Sequence, residues 1–488
     1  MADALQNAPS PASDASRAAP GLRPYLVVIA VGAFVTLLTH AQNIAYLPTT
    51  FLLKEQLGLS REQVALFFFW ATFPWNLKPI AGILTDAFPI FGSRRTGYLL
   101  LGTVAAASLW LVFGAFPSSY SVLLGALFAV GCATVLASTV VGGLLVEVGQ
   151  THRAPGRVAA LLQVVRGVTQ VAGPSLGGYL ATRAFGLTAA TAAGLNLLLA
   201  GMVWFLLRDR SAAAPVPRVV TAVVVPGVRG RVPALPMIAG TVGVGAFACI
   251  AMTFPEIRNI GISLFALAAL AGLTILLSVL PTRNQAILAA QRTFELLFAS
   301  KALWMAAAML FLVHVVPGLA TSLVYRQSDV LKFTPAYIGY LGSVEGAGGI
   351  AAALAYTLLC RRLSLRYALI GGVCLQAMAT LTYLTYAGST APFVHGLVGF
   401  TYCLAELALF DLAVRATPRG CEALGFAVMM SIRNLALSMS DVIGTQMMDQ
   451  FALGFGVMVM INSSTTLLVL GFVPWVPGSL LTPAEGQS

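Results

Sequence analysis

Apolar residues in this chain come in runs about as long as a bilayer is thick, and polar residues gather in the short links between them. A hydrocarbon core of about 30 Å takes about 20 helical residues to cross. On that length, residues 24–41, 62–85, 97–116, 121–146, 157–182 and 187–207 form six expected spans. Residues 302–324, 335–360, 367–386, 392–414, 424–447 and 453–473 form six more, and a pair at 233–254 and 260–280 lies between the two sets, giving about fourteen. Backbone groups in lipid must be satisfied within their own segment, so each run is expected to be a helix. The expectation is an all-α polytopic membrane protein. It divides into a disordered N-terminal tail (1–23), a helix bundle (24–207), a cytoplasmic loop (208–232), the extra helix pair (233–281), a cytoplasmic linker (282–301), a second bundle (302–475) and a C-terminal tail (476–488).

Composition sharpens this. Of 488 residues, 58% are hydrophobic and only 9% charged, where a soluble domain carries about a quarter charged. The net charge of +11 does not point to nucleic acid, because no basic run is interleaved with aromatics. It is explained by topology. With the N-terminus inside, 19 of the 28 cations fall on one face and 6 on the other, and Lys78, Arg166 and Arg433 fall within spans. Cations collect in cytoplasmic loops, so both termini are expected in the cytoplasm, with the protein in an inner or plasma membrane. Six scattered cysteines show no CxxC and no nearby histidine cluster, so neither a disulfide nor a metal is implied. No nucleophile and base are paired in the pattern, and neither an enzyme nor a cofactor is expected.

A weak internal repeat is visible. FLLKEQLGLSREQVALFF, from Phe51, and YRQSDVLKFTPAYIGYLG, from Tyr325, each leave a helix, cross a short external link containing a lysine, and enter the next helix. Those next helices end in the basic turns SRRTGY and CRRLSLRY. Two similar halves with a site between them is the logic of secondary transporters.

PWNLKPIAGILTDAFPIFGSRRTGYL, from Pro74, carries a Lys-Pro pair, an Asp, FPI-x-G and two arginines. It resembles the signature of the folate-biopterin transporter family of the major facilitator superfamily. ATPRGCEALGFAVMMSIRNLALSMSDVIG, from Ala416, resembles that family's other recurring stretch through Pro418, Gly420, Glu422, Phe426, Ala427, Ser431 and Asn434. The resemblance implies the major facilitator fold and alternating access. It also implies that Asp86, Gly92, Arg94 and Arg95 form a latch that pairs helix ends in one conformation and releases them in the other; the plainer alternative is a positive-inside anchor.

Three departures bear on function. The family's two carboxylates in the fourth span fall by position at Ser138 and Gly142, with only Glu147 kept. The pair at 233–280 is additional to twelve helices. AGPSLGG, from Ala172, resembles a motif of proton-coupled exporters and equally fits close packing by small residues. Charges in a membrane interior are costly and mark function or structural pairing. Lys78 and Arg166 both lie roughly 10 to 14 Å deep by the helical rise, without an obvious carboxylate partner. They are expected to hold a substrate anion, or else to snorkel or pair with Asp86 and Glu147. Glu406 and Arg433 are expected to couple across the second bundle, and Glu345 joins them as a candidate substrate residue. His314 and His395 read as satisfied interior histidines. The expected function is movement of folate, biopterin or a related organic anion, with protons as a candidate coupling ion. The alternatives are a proton-coupled exporter of another small organic molecule and a non-transporting assembly factor on the same fold.

Overall fold

The computed structural model describes residues 22–93, 95–115, 119–151, 155–207, 234–254, 258–279, 283, 285–359, 363–418 and 422–481. Among them all regular secondary structure is helical, joined by turns and short links, apart from one isolated bridge between Ile90 and Ser93. The first half comprises α1 (Leu22–Leu38), α2 (Tyr46–Phe51), α3 (Arg61–Thr72), α4 (Lys78–Ala87), α5 (Thr96–Ala115), α6 (Tyr120–Thr151), α7 (Pro155–Ala181) and α8 (Phe185–Leu207). A pair follows, α9 (Ala234–Ala251) and α10 (Arg258–Val279), then α11 (Gln285–Ala299). The second half is α12 (Lys301–His314), α13 (Ala320–Tyr325), α14 (Pro335–Leu359), α15 (Leu365–Leu381), α16 (Ala391–Ala416), α17 (Glu422–Gln450), α18 (Phe455–Leu468) and the short α19 (Gly478–Leu481).

By length and composition eight described helices qualify as membrane spans, or nine if a bent pair is counted as one, against the fourteen expected. The difference has physical causes. Three expected spans are interrupted. The second, expected unbroken over 62–85, runs as α3, a 3₁₀ turn at Phe73–Leu77 and α4. Pro74 and Pro79 each stand in the first turn of a new segment, where a missing amide hydrogen costs least. The first span breaks after Leu38, resumes as α2 and ends in a π-helical turn, Leu52–Gln56; the seventh breaks after His314, resumes as α13 and ends in a π turn, Arg326–Val330. Segments first read as external links are thus helical. Elsewhere Arg157, Gln163, Arg166 and Gln170 dilute α7, and α9 and α10 are apolar over the shorter stretches Thr241–Ala251 and Leu264–Leu273.

A break inside a membrane leaves carbonyls that other helices must satisfy. At the seventh span they are met from α17 and α18. Ser440 Oγ donates to Val316 O (2.5 Å), Asn462 Nδ2 donates to Pro317 O (2.8 Å), and the Gly318 amide donates to Ser440 O (2.8 Å). Asp441 then accepts from the amide and hydroxyl of Thr321 at 3.0 and 2.6 Å, holding the start of α13.

Each half has its own apolar core. Phe67, Trp110, Phe113 and Leu127 centre one in the first half, and Phe294, Leu303, Leu310 and Leu409 one in the second. The halves meet most closely along α7 and α14. A Cβ on Gly178 would stand 2.8 Å from the Gly339 Cα, and one on Gly342 would stand 2.7 Å from the Pro174 Cβ. Ser175 and Ser343 share a hydrogen bond of 2.6 Å across the seam. AGPSLGG therefore packs helices together here, as small residues in membranes do when no water drives association. The linker at 282–301 contains α11, whose Phe294, Leu297 and Phe298 are buried on one face and whose Gln291–Ala299 section meets α12 at 79°.

Candidate substrate site

Lys78 opens α4 immediately after the 3₁₀ turn, and its ammonium donates to Ser138 Oγ on α6 at 3.1 Å while lying 5.3 Å from the centre of the Trp75 ring. Trp75 in turn meets His40, in the break of the first span, edge to face at 4.5 Å. Ser138 thus holds the lysine without neutralising it. Arg166, on α7, is within electrostatic range of Lys78, Arg433 and Glu406, yet has no hydrogen-bond or ion-pair partner among the described residues. The side chains of Asp86 and Glu147, the alternative partners considered for these cations, lie outside the described residues.

The second half answers differently. Arg433 and Glu406 form a direct ion pair, with side chains 18% and 11% exposed. Arg433 also donates to Tyr402 (3.3 Å) and to Asn434 Oδ1 (3.1 Å), and it lies 5.7 Å from the Phe410 ring centre. His314 Nδ1–H donates to Leu310 O at 2.7 Å, leaving Nε2 facing Glu406 Oε2 at 3.9 Å, too far for a hydrogen bond. The two arginines occupy comparable places, each on the second-last long helix of its half, Arg166 on α7 and Arg433 on α17. Ser138 and Glu406 also correspond, each eight residues after a Val-Gly pair, at Val130 and Val398. Arg433 has its acid, and Arg166 is paired with none among the described residues.

Glu345, on α14, is placed near Tyr402 but is taken by a different partner. His395 Nδ1 lies 2.9 Å from Glu345 Oε2, and its Nε2 lies 2.9 Å from the Tyr386 hydroxyl and 3.1 Å from Gln327 Nε2. An amide nitrogen only donates, so Nε2 accepts and Nδ1–H donates to the carboxylate. His395 is therefore part of a polar network with a carboxylate that remains 42% exposed, more than a filled interior position. Of the latch residues, Arg94 and the side chain of Asp86 lie outside the described residues. Gly92 sits in the turn after α4 at φ +72°, a left-handed conformation that favours glycine, and the Arg95 guanidinium lies against Gly143 on α6, where a Cβ would come within 2.7 Å of it. Tyr402 and Trp75 were not foreseen; the signal for Tyr402 was its place one turn before Glu406 on the same helix.

On the membrane face away from the chain ends, the halves are tied by polar contacts. Lys54 pairs with Asp329 and donates to Ser328 Oγ at 2.7 Å, joining the two π turns. Arg61 Nε and the Glu62 amide donate to Asp449 at 2.8 and 3.0 Å, and the Tyr325 hydroxyl donates to Leu59 O at 2.6 Å. The two repeated stretches read from the sequence are the ones that touch here.

Residues 40–484 of this chain are matched by a protein-family model, that of the BT1 family. The chain belongs to the BT1 family. This BT1-family protein is 23% identical to the folate-biopterin transporter of Synechocystis sp. (strain ATCC 27184 / PCC 6803 / Kazusa) over 452 residues, covering 89% of this chain and 78% of that protein. Over 130 residues it is 32% identical to folate transporter 2 of Plasmodium falciparum (isolate 3D7), covering 26% of this chain and 27% of the other. Among solved structures it is similar to the POT family transporter PepTSo, with TM-score 0.67 and 11% identity over 95% of this chain and 99% of that one. It is also similar to a D-xylose-proton symporter, with TM-score 0.59 and 12% identity over 96% and 98% of the two chains. The fold is that of the major facilitator transporters, and the BT1-family protein is a multi-pass membrane transporter of a small molecule, not an enzyme.

Proposed function

We propose that this BT1-family protein moves a pteridine-like organic anion across an inner or plasma membrane by alternating access, with both chain ends in the cytoplasm. The observation that carries the reading is Arg166: its repeat counterpart has Glu406 as partner, whereas Ser138 stands in the matching place here and neither Arg166 nor Lys78 is paired with a carboxylate among the described residues. An arginine is suited to two parallel hydrogen bonds to a carboxylate, and a lysine to a point charge. The Synechocystis and Plasmodium relatives, named as folate-biopterin and folate transporters, support the substrate class. Glu345 is engaged by His395, so in this reading it carries a proton between the two sides; Glu406 with Arg433 holds the second half's wall of the site. The 19-to-6 asymmetry of cations supports the topology.

The experiment is binding of folate and of an uncharged pteridine to purified wild type, Lys78→Ala and Arg166→Gln. A hydrogen bond to a charged group contributes about 1.5–3 kcal/mol, so folate should weaken roughly ten- to hundredfold in Arg166→Gln while the neutral ligand stays within about twofold. Equal weakening of both ligands refutes charge reading by these cations. Glu345→Gln should abolish the response of uptake to an imposed proton gradient; retained response removes Glu345 from coupling.

A further inference from the structure

On the face away from the chain ends, a cavity of about 420 Å³ opens beside the polar contacts that tie the halves. It is lined by Arg61, Ser322, Arg326, Asp329, Gly454 and Phe455, among others. Two of its charges are already matched, Arg61 by Asp449 and Asp329 by Lys54. Arg326 is not: its guanidinium lies 4.7 Å from the Phe455 ring centre, its Nε is buried with no hydrogen-bond partner, and no carboxylate pairs with it among the described residues. Ser322 is 1% exposed, and its hydroxyl also has no partner. The third feature is α18, fourteen residues long, which begins at this cavity with Gly454 as its N-cap and no side chain bonding its first amides. Free amides at a helix N-terminus carry about half a positive charge and attract anions. A cation, an unpaired hydroxyl and an uncapped helix end thus converge on one space, and a buried polar group without a partner is costly enough to need an explanation.

We propose that this cavity is a second anion-binding site, separate from the central one, in which Arg326, Ser322 and the α18 N-terminus hold an oxyanion such as a carboxylate or a phosphate. Arg326 supplies the charge, its ring contact fixes the guanidinium plane, and Gly454 lets the anion approach the helix end because it has no side chain there. The proposal does not rest on the reading of Arg166 and Lys78.

The test uses the full-length protein in lipid nanodiscs, titrated calorimetrically with benzoate, inorganic phosphate and the neutral benzamide. Gly454→Asp is the decisive variant. A Cβ at Gly454 meets nothing within 4 Å, its φ of −66° and ψ of 151° suit an aspartate N-cap, and the new carboxylate would occupy the helix end from within. Benzoate or phosphate should bind the Arg166→Gln protein, in which the central site is disabled, and adding either Gly454→Asp or Arg326→Gln to it should weaken that binding at least tenfold, while benzamide does not bind. Binding of benzoate alone marks an organic carboxylate as the occupant, and of phosphate alone an inorganic one. The proposal is overturned if neither anion binds the Arg166→Gln protein, or if adding Gly454→Asp leaves that binding as tight.

Discussion

Replacing Glu406 by glutamine removes the charge that Arg433 faces while keeping the shape of the side chain. At an effective dielectric of about 20, unit charges roughly 4 Å apart attract by about 4 kcal/mol. Removing one member of a buried pair costs about 3–5 kcal/mol, since the other is left uncompensated. The pair is largely shielded, with side chains 11% and 18% exposed, so little screening by water reduces these figures. The two single variants are not expected to be equal. Arg433→Gln leaves Glu406 with Arg166 in electrostatic range, whereas Glu406→Gln leaves Arg166 and Arg433 facing each other with Lys78 near by. The expected losses are about 4 kcal/mol for Glu406→Gln and about 2 kcal/mol for Arg433→Gln, the difference being Arg166 as substitute partner. The double variant should lose less than Glu406→Gln alone. The assay is a double-mutant cycle on unfolding free energy in detergent micelles, read from denaturant titration of each variant. Losses that add to within about 0.5 kcal/mol would show that the two side chains act independently and would refute the argument.

Loosening the face away from the chain ends should shift the conformational balance: Lys54→Ala removes a pair whose members are 14% and 50% exposed, so about 1 kcal/mol is at stake, or roughly a fivefold gain in labelling of a cysteine placed beneath that contact. Unchanged labelling means that the contact does not hold this face shut. At the seam of the halves, Gly178→Leu drives a side chain into the backbone of Gly339, and loss of most transport activity with normal membrane insertion is expected in a vesicle uptake assay. Full uptake by that variant would show that α7 and α14 need not approach this closely during transport.

The amino-acid sequence by itself determined the class of fold, because twenty-residue apolar runs in lipid have few alternatives to helices. It also marked the interior charges, since an arginine or lysine is conspicuous among apolar residues whatever its partner. Partners are another matter. That Lys78 rests on Ser138, that Arg433 meets Glu406, and that Glu345 turns to His395 depend on the rotation of each helix about its own axis, which neighbouring helices set and which an apolar run does not encode. The breaks in the first and seventh spans were marked only in part. His40, Gln42 and Asn43 are polar and Pro317 with Gly318 disfavours a helix, but whether the chain turns there depends on partners for the backbone that is freed, and in the seventh span the interruption persists because Ser440, Asp441 and Asn462, more than a hundred residues away, supply them. The motif AGPSLGG shows the same division. Its small residues were visible in one dimension, but only the approach of α14 made them a seam between halves, because close packing is a property of two surfaces and the sequence of a segment describes one.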